Sequence, residues 1–301
     1  MLSCCNEDPD PSRQGAMMER VSNPTILILP PQMMHIPISW AKAEGWNPGL
    51  DDASSFYAAD NGGFAALMDG DKVIATISAV NYGNRFGFIG FYIVDPDYRG
   101  QGYGRMVWDF AMDRLRGIPI GLDGVVAQQD FYSRSGFQYA HRNIRYRGTA
   151  RKYDIPGADI ISPRDIHYAR LSRYDRKHFG FGRDSFLHAW LLQKNGTCRM
   201  ILQSGEIHAF GCIRKCIEGY KIGPLFADNA HYAETMLQYL ISSIPEKESY
   251  YLDVPQPNPN AMRLTEMYEM EAVFETARMY HGTPIKLPLA NIYGITSFEL
   301  G

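Results

Sequence analysis

Apolar positions recur with two different periods along the first half of the chain. Runs of β-branched and aromatic residues predict strands at TILIL, FAALM, KVIATISAV, FGFIGFYIV, IGLD and FQYAHRNIRYR. Helical spacing predicts helices at HIPISWAKAEGW, DASSFYAAD, RMVWDFAMDRL and AQQDFYSRSGF. The run FGFIGFYIV (residues 86–94) is apolar throughout, which is typical of a strand buried on both faces. The order β-α-α-β-β-β-α-β-α-β predicts an α/β fold with a mixed sheet.

The second half repeats this order with different residues. A Ser-Pro-Arg-Asp helix start at residues 162–165 and the stretch RDSFLHAWLLQK predict two early helices. Strands are then predicted at CRMIL, IHAFGCI, YKIGPLF, SYYLDV and, as the last strand, VFETARMYH, with helices near HYAETMLQYLISSI and NAMRLTEMYEM. Aligning DFYSRSGFQYAHRNIRY with EMYEMEAVFETARMYHG places Tyr132 opposite Tyr268. The repeat predicts a divergent internal duplication.

A length of 301 residues is about right for two domains. Residues 1–23 are rich in Pro, Asp and Ser and predict a flexible tail. The first domain is expected at 24–150 and the second at 161–301, joined by a linker at 151–160, which contains Pro and Gly and has no apolar period.

Composition narrows the classes of partner. Hydrophobic residues make up 45% of the chain and charged residues 21%, as expected of a globular protein with a sizeable core. A formal charge of −3 predicts neither nucleic acid nor a membrane surface as a partner. Without an apolar run of about 18–20 residues or a secretion signal, a cytoplasmic location is expected. The five cysteines have no metal-binding spacing, so free thiols, no disulfide and no metal are expected. We interpret Cys4 and Cys5 as part of a frayed tail and not as acylation sites.

Three glycines separate the apolar strand from the helix that follows it. Gly100, Gly102 and Gly104 alternate with other residues at the predicted helix start. They could simply permit positive φ angles in a tight turn. Backbone N–H groups in such a loop can also converge on an anion, which the helix dipole favours. We therefore expect a phosphate site, and the absence of G-x-G-x-x-G and of G-K-[ST] disfavours a dinucleotide or ATP.

The glycine turn resembles the R/Q-x-x-G-x-G/A pyrophosphate loop of the GNAT superfamily of acyl-CoA-dependent N-acyltransferases. Arg99, Gly102 and Gly104 match it, and FYSRSGF resembles the family's Y-x-x-x-G-F segment. WAKAEGWNPG and GLDGVVAQQDFY are like the tandem subgroup with a diverged second copy. The resemblance implies acetyl-CoA, with its pyrophosphate on Arg99, Gly100, Gln101, Gly102, Tyr103, Gly104 and Arg105. It also implies a bulged strand whose backbone at Ile93 and Val94 holds the pantetheine, and Tyr132 as the acid that protonates the leaving thiolate. A core tyrosine with a satisfied hydroxyl is the alternative for Tyr132.

Three departures from the family pattern affect the expected site. Val125 stands where an Asn is common, so Gln128 or Gln129 is expected to replace that contact. RFGFIGFYIV lacks the glutamate that related enzymes often use as a base; Asp123 and Glu44 are the candidates, with solvated or capping carboxylates, or a water relay, as the alternatives. No glycine lies between Pro224 and the next helix in the second copy, so that half is expected to cover the cleft rather than bind acyl-CoA in the same manner.

The loop EGWNPGLDD (residues 44–52) is expected to lie over the acceptor cleft. Trp46 and Asp51 could receive a cationic amine by cation–π contact and charge, and an ordinary turn is the alternative. The sequence thus predicts an N-acetyltransferase acting on a small-molecule amine. A protein or peptide N-acetyltransferase and a non-catalytic acyl-CoA sensor remain as alternatives.

Overall fold

A computed structural model describes residues 23–155 and 159–301. The predicted tail, with Cys4 and Cys5, lies outside the described residues except for Asn23, as does the centre of the predicted linker. The domain boundaries therefore stay a prediction.

The first half contains the predicted elements in the predicted order. They are β1 (Thr25–Ile28), α1 (His35–Ala43), α2 (Asp52–Ala59), β2 (Phe64–Asp69), β3 (Lys72–Tyr82), β4 (Phe86–Val94), α3 (Tyr103–Arg114), β5 (Ile120–Val125), α4 (Gln129–Arg134) and β6 (Phe137–Thr149). The apolar strand is buried along most of its length, with Phe88 and Phe91 in the core. The mixed α/β fold is confirmed.

The second half adds two strands that the sequence pattern does not predict. Its elements are β7 (Ile160–Ile161), α5 (Tyr168–Phe179), α6 (Asp184–Leu191), β8 (Gly196–Gln203), β9 (Glu206–Lys215), β10 (Tyr220–Ala227), α7 (Ala230–Ser242), β11 (Ser249–Pro255), α8 (Pro259–Met267), β12 (Glu271–His281) and β13 (Ile292–Gly294). The prediction that VFETARMYH forms the last strand is wrong, because β13 follows β12. Strands of two or three residues are too short to show a period.

One continuous sheet joins the halves through exchanged strands. Its order is β1-β2-β3-β4-β5-β12-β6-β11-β10-β9-β8-β7, with β13 paired to β10. Strand β12 of the second half runs between β5 and β6 of the first. Strand β6 in turn pairs with β11 of the second half. Each half therefore completes its part of the sheet with the other half's long strand.

Two pairs of parallel strands diverge in this sheet. Strand β4 pairs with β5 only at residues 87–89, and β10 pairs with β11 only at residues 220–222. Beyond these paired residues, the two strands of each parallel pair separate, and a cleft opens between them.

The cleft of the second half is filled by the chain's own C-terminus. Strand β13 pairs with β10, and the N–H of Ile295 donates to the carbonyl of Asp253 on β11 at 2.9 Å. A Cβ atom on Gly223 would lie 2.4 Å from the carbonyl oxygen of Thr296. The tail then reaches the first half, where the Tyr82 hydroxyl donates to the carbonyl of Leu300 at 2.9 Å. This packing gives a physical reason for the expectation that the second half does not bind acyl-CoA in the same manner.

A disulfide corrects the prediction that all cysteines are free. Cys198 on β8 and Cys212 on β9 are directly opposite in the antiparallel register and are bonded. Cys216 is free and buried. The spacing of Cys198 and Cys212 carries no motif, and only the pairing of the two strands brings the sulfur atoms together.

Candidate active site

The glycine turn is required by its backbone geometry. Gly100 and Gly102 have φ angles of +74° and +89°, in the left-handed region that favours glycine. Gly102 is the N-cap of α3. A Cβ on Gly104 would lie 2.6 Å from the Tyr92 hydroxyl, so this position requires glycine for close approach instead. Cβ atoms on Gly100 and Gly102 would meet open space, so the loop is bare toward solvent.

An outer cavity of about 440 Å³ lies against this turn. Predicted residues that line it are Val94, Arg99, Gly100, Gly102, Gly104, Arg105 and Gln128. Further lining residues, which the sequence analysis did not identify, are Tyr92, Tyr98, Ala127, Asp130, Phe131 and Arg134. Three arginines border a cavity at a helix N-terminus, which is a suitable environment for phosphate groups.

Three residues expected in the cofactor site do not line this cavity. Ile93 is buried in the core, and Tyr103 packs against Tyr98 with ring centroids 5.9 Å apart. The Gln101 side chain donates to the carbonyl of Asp97 at 3.1 Å. These three side chains pack or hydrogen-bond within the first half and do not face the outer cavity.

Strand β4 carries the expected bulge. Phe91 has φ = +48°, and the register with β3 shifts at this point. The Thr76 hydroxyl donates to the Phe91 carbonyl at 2.9 Å, which holds the bulge in place. Because β4 has already left β5 here, the cleft between the two strands opens directly beside the glycine turn.

Arg99 links the glycine turn to the predicted acceptor loop. Its Nη2 lies 2.5 Å from Glu44 Oε1, and its Nε donates to the Val94 carbonyl at 3.0 Å. Both side chains of this ion pair are mostly buried. Glu44, a predicted candidate for the base, therefore lies beside the glycine turn.

A smaller inner cavity of about 50 Å³ continues from the outer one. Tyr92 and Gln128 line both cavities and mark their junction. Its walls come from both halves: Trp46, Ile89, Gly90, Phe91, Trp108, Leu122, Asp123, Gly124, Val125 and Tyr132 from the first, and Phe274, Thr276, Phe298 and Glu299 from the second. The exchanged strand β12 and the C-terminal tail thus close the inner cavity.

Tyr132 lies on the wall of the inner cavity and is held firmly. Its side chain is buried, and its ring is so close to Gly124 that a Cβ there would lie 2.2 Å from Tyr132 Cε2. Trp108 packs on it with ring centroids 5.7 Å apart. The tyrosine thus contributes a tightly packed part of the wall of the inner cavity.

Asp123, the other candidate for the base, is held in a buried ion pair. Its two carboxylate oxygens accept from Arg278 Nε and Nη2 at 2.8 and 2.6 Å, and Oδ1 accepts from Asn143 at 2.7 Å. The Asp123 side chain has no exposed surface, and Asp123 raises the pKa of Arg278 above its usual value against the effect of burial. This geometry gives the aspartate a structural partner across the two halves.

The predicted acceptor loop is docked on the second half of the chain. The Asn47 side chain and the Glu218 backbone exchange two hydrogen bonds of 2.8 and 2.9 Å. Trp46 lines the inner cavity as expected. Asp51 does not line either cavity; its carboxylate accepts from the backbone N–H of Asn195 at 2.7 Å.

Glu299 is a charged residue of the inner cavity that the sequence does not identify. It is 3% exposed, and neither carboxylate oxygen has a hydrogen-bond partner among the described residues. It comes near the end of the chain, far from every motif, so no local signal marks it.

No helix within residues 23–155 and 159–301 is long and apolar enough to cross a membrane. The same residues contain no cluster of three or more His, Cys, Asp or Glu side chains arranged to hold a metal ion.

Comparison with known proteins identifies the family of both halves. Residues 32–137 match the model of the acetyltransferase (GNAT) family, and residues 171–294 match that of an acetyltransferase (GNAT) domain. The chain is 30% identical over 267 residues to a holothin acyltransferase from Pseudoalteromonas sp. (strain SANK 73390), covering 87% of this chain and 89% of that protein.

Solved structures share the fold over nearly the whole chain. A putative acetyltransferase from Pyrococcus horikoshii is 21% identical, with a TM-score of 0.78 over 96% of this chain and all of that one. A tandem GNAT protein from the clavulanic acid biosynthesis pathway is 10% identical, with a TM-score of 0.58 over 87% of this chain and all of that one. The predicted duplication is confirmed: this chain belongs to the GNAT acyltransferase family and contains two GNAT domains in tandem.

Proposed function

We propose that the protein is an N-acetyltransferase that transfers the acetyl group of acetyl-CoA to a primary amine of a small molecule. The observation that carries the proposal is the junction of two cavities. An outer cavity beside the glycine turn leads past Tyr92 and Gln128 to a smaller, partly enclosed one that Tyr132 lines.

The residues of the outer cavity fit the phosphates of coenzyme A. Gly100, Gly102 and Gly104 leave the helix N-terminus bare, and the dipole of α3 favours negative charge there by about 0.3–2 kcal/mol. Arg105 and Arg134 add positive charge to the same wall. The diverging strands beside the turn then direct an extended chain toward the inner cavity.

The volume of the inner cavity supports a short acyl group. About 50 Å³ accommodates a group of a few non-hydrogen atoms, given that one water needs roughly 10–15 Å³ of such space. A longer acyl chain would have to displace Phe274 or Phe298. The name of the holothin acyltransferase relative specifies acyl transfer and supports this class of reaction.

The partly enclosed inner cavity also supports a small acceptor over a protein. An enzyme acting on proteins needs an open cleft for an extended peptide. Here Phe274, Thr276, Phe298 and Glu299 of the second half cover it.

The chain's own residues supply the acid of the reaction. The amine attacks the thioester carbonyl carbon directly, the C–S bond breaks, and the Tyr132 hydroxyl donates a proton to the departing thiolate. Within the described part of the chain no cysteine lines either cavity, which supports direct attack over a covalent acyl-enzyme. Proton transfer from a positioned acid of this kind typically raises the rate by ~10²–10⁴-fold.

The test is release of free CoA thiol from acetyl-CoA with wild type and Tyr132→Phe, across amino acids, polyamines, aminoglycosides and short peptides. Tyr268→Phe is the matched control, because this tyrosine occupies the equivalent position in the second half and bonds Gln238 and Glu234 outside both cavities. We expect turnover with one class of acceptor, retained in Tyr268→Phe and lowered in Tyr132→Phe with acetyl-CoA affinity unchanged. Acetyl-CoA binding without turnover on any acceptor would favour the non-catalytic sensor, whose support is that Glu44 and Asp123 are both held in ion pairs.

A further inference from the structure

The proposed reaction needs a base that the first half does not supply on β4. An amine with a pKa near ~10 is mostly protonated at neutral pH and cannot attack until a proton is removed. Strand β4 has Gly90, and not a carboxylate, on the wall of the inner cavity. Asp123 and Glu44 both have arginine partners within 2.8 Å.

The C-terminal tail brings a carboxylate to this place. After filling the cleft of the second half it passes directly over Gly90, where a Cβ would lie 2.2 Å from the Glu299 carbonyl oxygen. The neighbouring Phe298 is held under the guanidinium of Arg145, 4.7 Å from its ring centroid. Only glycine at position 90 allows the tail so close, so the strand and the tail together place Glu299 on the cavity wall.

The Glu299 carboxylate is buried and has no hydrogen-bond partner within the part of the chain that the structure describes. Almost all buried polar atoms in folded proteins are hydrogen-bonded, and burying a carboxylate without a partner is costly. Both Oε1 and Oε2 are unpaired among the described residues, while the residue lines the inner cavity. A cationic or hydrogen-bonding group entering that cavity would supply the partner.

A purely structural role is the competing explanation. Arg145, Arg214 and Lys221 are buried close enough to interact electrostatically with Glu299. Each arginine, however, already has its own carboxylate in a direct ion pair, Arg145 with Asp253 and Arg214 with Asp52.

Lys221 is the remaining cation of this group. Its ammonium group lies 3.4 Å from the carbonyl oxygen of Trp46, and burial together with Arg145 lowers its pKa. Among the described residues, Arg145, Arg214 and Lys221 form no ion pair within 4.0 Å of the Glu299 carboxylate. The neighbouring Cys216 thiol is buried, and burial raises its pKa, so it adds no charge. The cations thus attract the negative carboxylate without occupying its oxygens.

We propose that Glu299 is the general base of the first half's active site, delivered by the C-terminal tail of the second half. The inference rests on the proposed function. Glu299 takes one proton from the acceptor ammonium, and the free amine attacks the thioester carbonyl. As the C–S bond breaks, the thiolate gains a proton from Tyr132, and the second proton leaves the nitrogen and restores the Tyr132 hydroxyl. The products are the amide, the CoA thiol and one proton released to solvent.

The test measures kcat against pH for wild type, Glu299→Gln and the control Glu271→Gln, with the acceptor found by thiol release. Glu271 is on the same half, 67% exposed, and pairs only with Arg147 at the surface. We expect kcat of Glu299→Gln to fall by about 10²–10⁴-fold, with unchanged acetyl-CoA affinity. The loss should shrink as the pH approaches the acceptor's own pKa, because the amine then needs no base. Glu271→Gln should follow the wild-type profile.

A further variant separates catalysis from structure. Glu299→Ala should regain part of its kcat when formate is added, whereas a residue that only balances charge would change the melting temperature without such rescue. If Glu299→Gln fails to fold, Glu299→Asp, which keeps the charge, should show lowered kcat at a wild-type melting temperature. A wild-type rate and pH profile in the folded Glu299 variants would overturn the inference and leave the proposed function intact. No turnover by the wild type on any acceptor would instead contradict the proposed function.

Discussion

The ion pair between Asp123 and Arg278 provides the most direct test of the exchanged strands. Asp123 is on β5 and Arg278 on β12, so the pair joins the two halves at the wall of the inner cavity. Their side chains are 0% and 5% exposed. We consider Arg278→Met, which keeps an unbranched apolar side chain and removes the charged guanidinium that lies over the Phe88 ring.

The expected cost follows from what Arg278→Met leaves behind. Asp123 would remain buried with a single hydrogen bond from Asn143, and breaking a buried ion pair on one side typically costs about 3–5 kcal/mol. Replacing both partners removes the uncompensated charge, so Asp123→Asn with Arg278→Met should recover much of that loss. Arg142→Met is the matched control, because Arg142 on β6 pairs with Glu275 on β12 at a partly exposed position, where a pair contributes roughly 0.2–1 kcal/mol.

The assay is the free energy of unfolding from urea denaturation of five proteins: wild type, Arg278→Met, Asp123→Asn, the double variant and Arg142→Met. A loss in Arg278→Met no larger than that in Arg142→Met would refute the reasoning. So would a double variant as unstable as the sum of its single variants, since the two side chains would then not depend on each other.

Two further predictions concern the cofactor loop and pH. Replacing Gly102 and Gly104 together by Glu should abolish acetyl-CoA binding without unfolding the chain, measured by calorimetry. The side chain at position 102 would bring a negative charge into open space, and the side chain at position 104 would press on Tyr92. The control Gly70→Glu, at a hairpin turn with open space, should bind acetyl-CoA normally. Retained affinity in the double variant would contradict the loop's role. Burial and Arg278 lower the pKa of His141 from 6.5 to about 4. Between pH 6.5 and 4 the unfolded chain therefore binds a proton that the native state excludes. The free energy of unfolding has its full value above pH 6.5 and should fall by roughly 3 kcal/mol as the pH drops toward 4. His141→Asn should lose less stability over that range, and parallel curves would contradict this assignment.

Local patterns predicted the elements that carry the cofactor loop. The run of apolar residues at 86–94 coincides with β4, since a strand buried on both faces is apolar at every position. The glycine turn and Tyr132 could be identified as candidates because each belongs to a motif whose residues are close together in the sequence. Each of these features can be predicted without knowing how distant strands pair.

The features that were missed all depend on such pairing. Cys198 and Cys212 meet through the register of β8 and β9, and Arg278 meets Asp123 because β12 enters the other half. A strand's pattern records which face is buried and not which strand lies beside it. Glu299 reaches the inner cavity only after a path through a cleft that sequence reasoning left unassigned.

The filled cleft of the second half also indicates what that half contributes. A GNAT half that bound acyl-CoA between β10 and β11 would have no place for β13, and without β13 the tail would not be directed toward Gly90. The same half supplies β12, without which β5 and β6 would each lose a paired neighbour. The second half thus completes both the sheet and the inner cavity of the first, and on the proposal made for Glu299 it completes the chemistry as well.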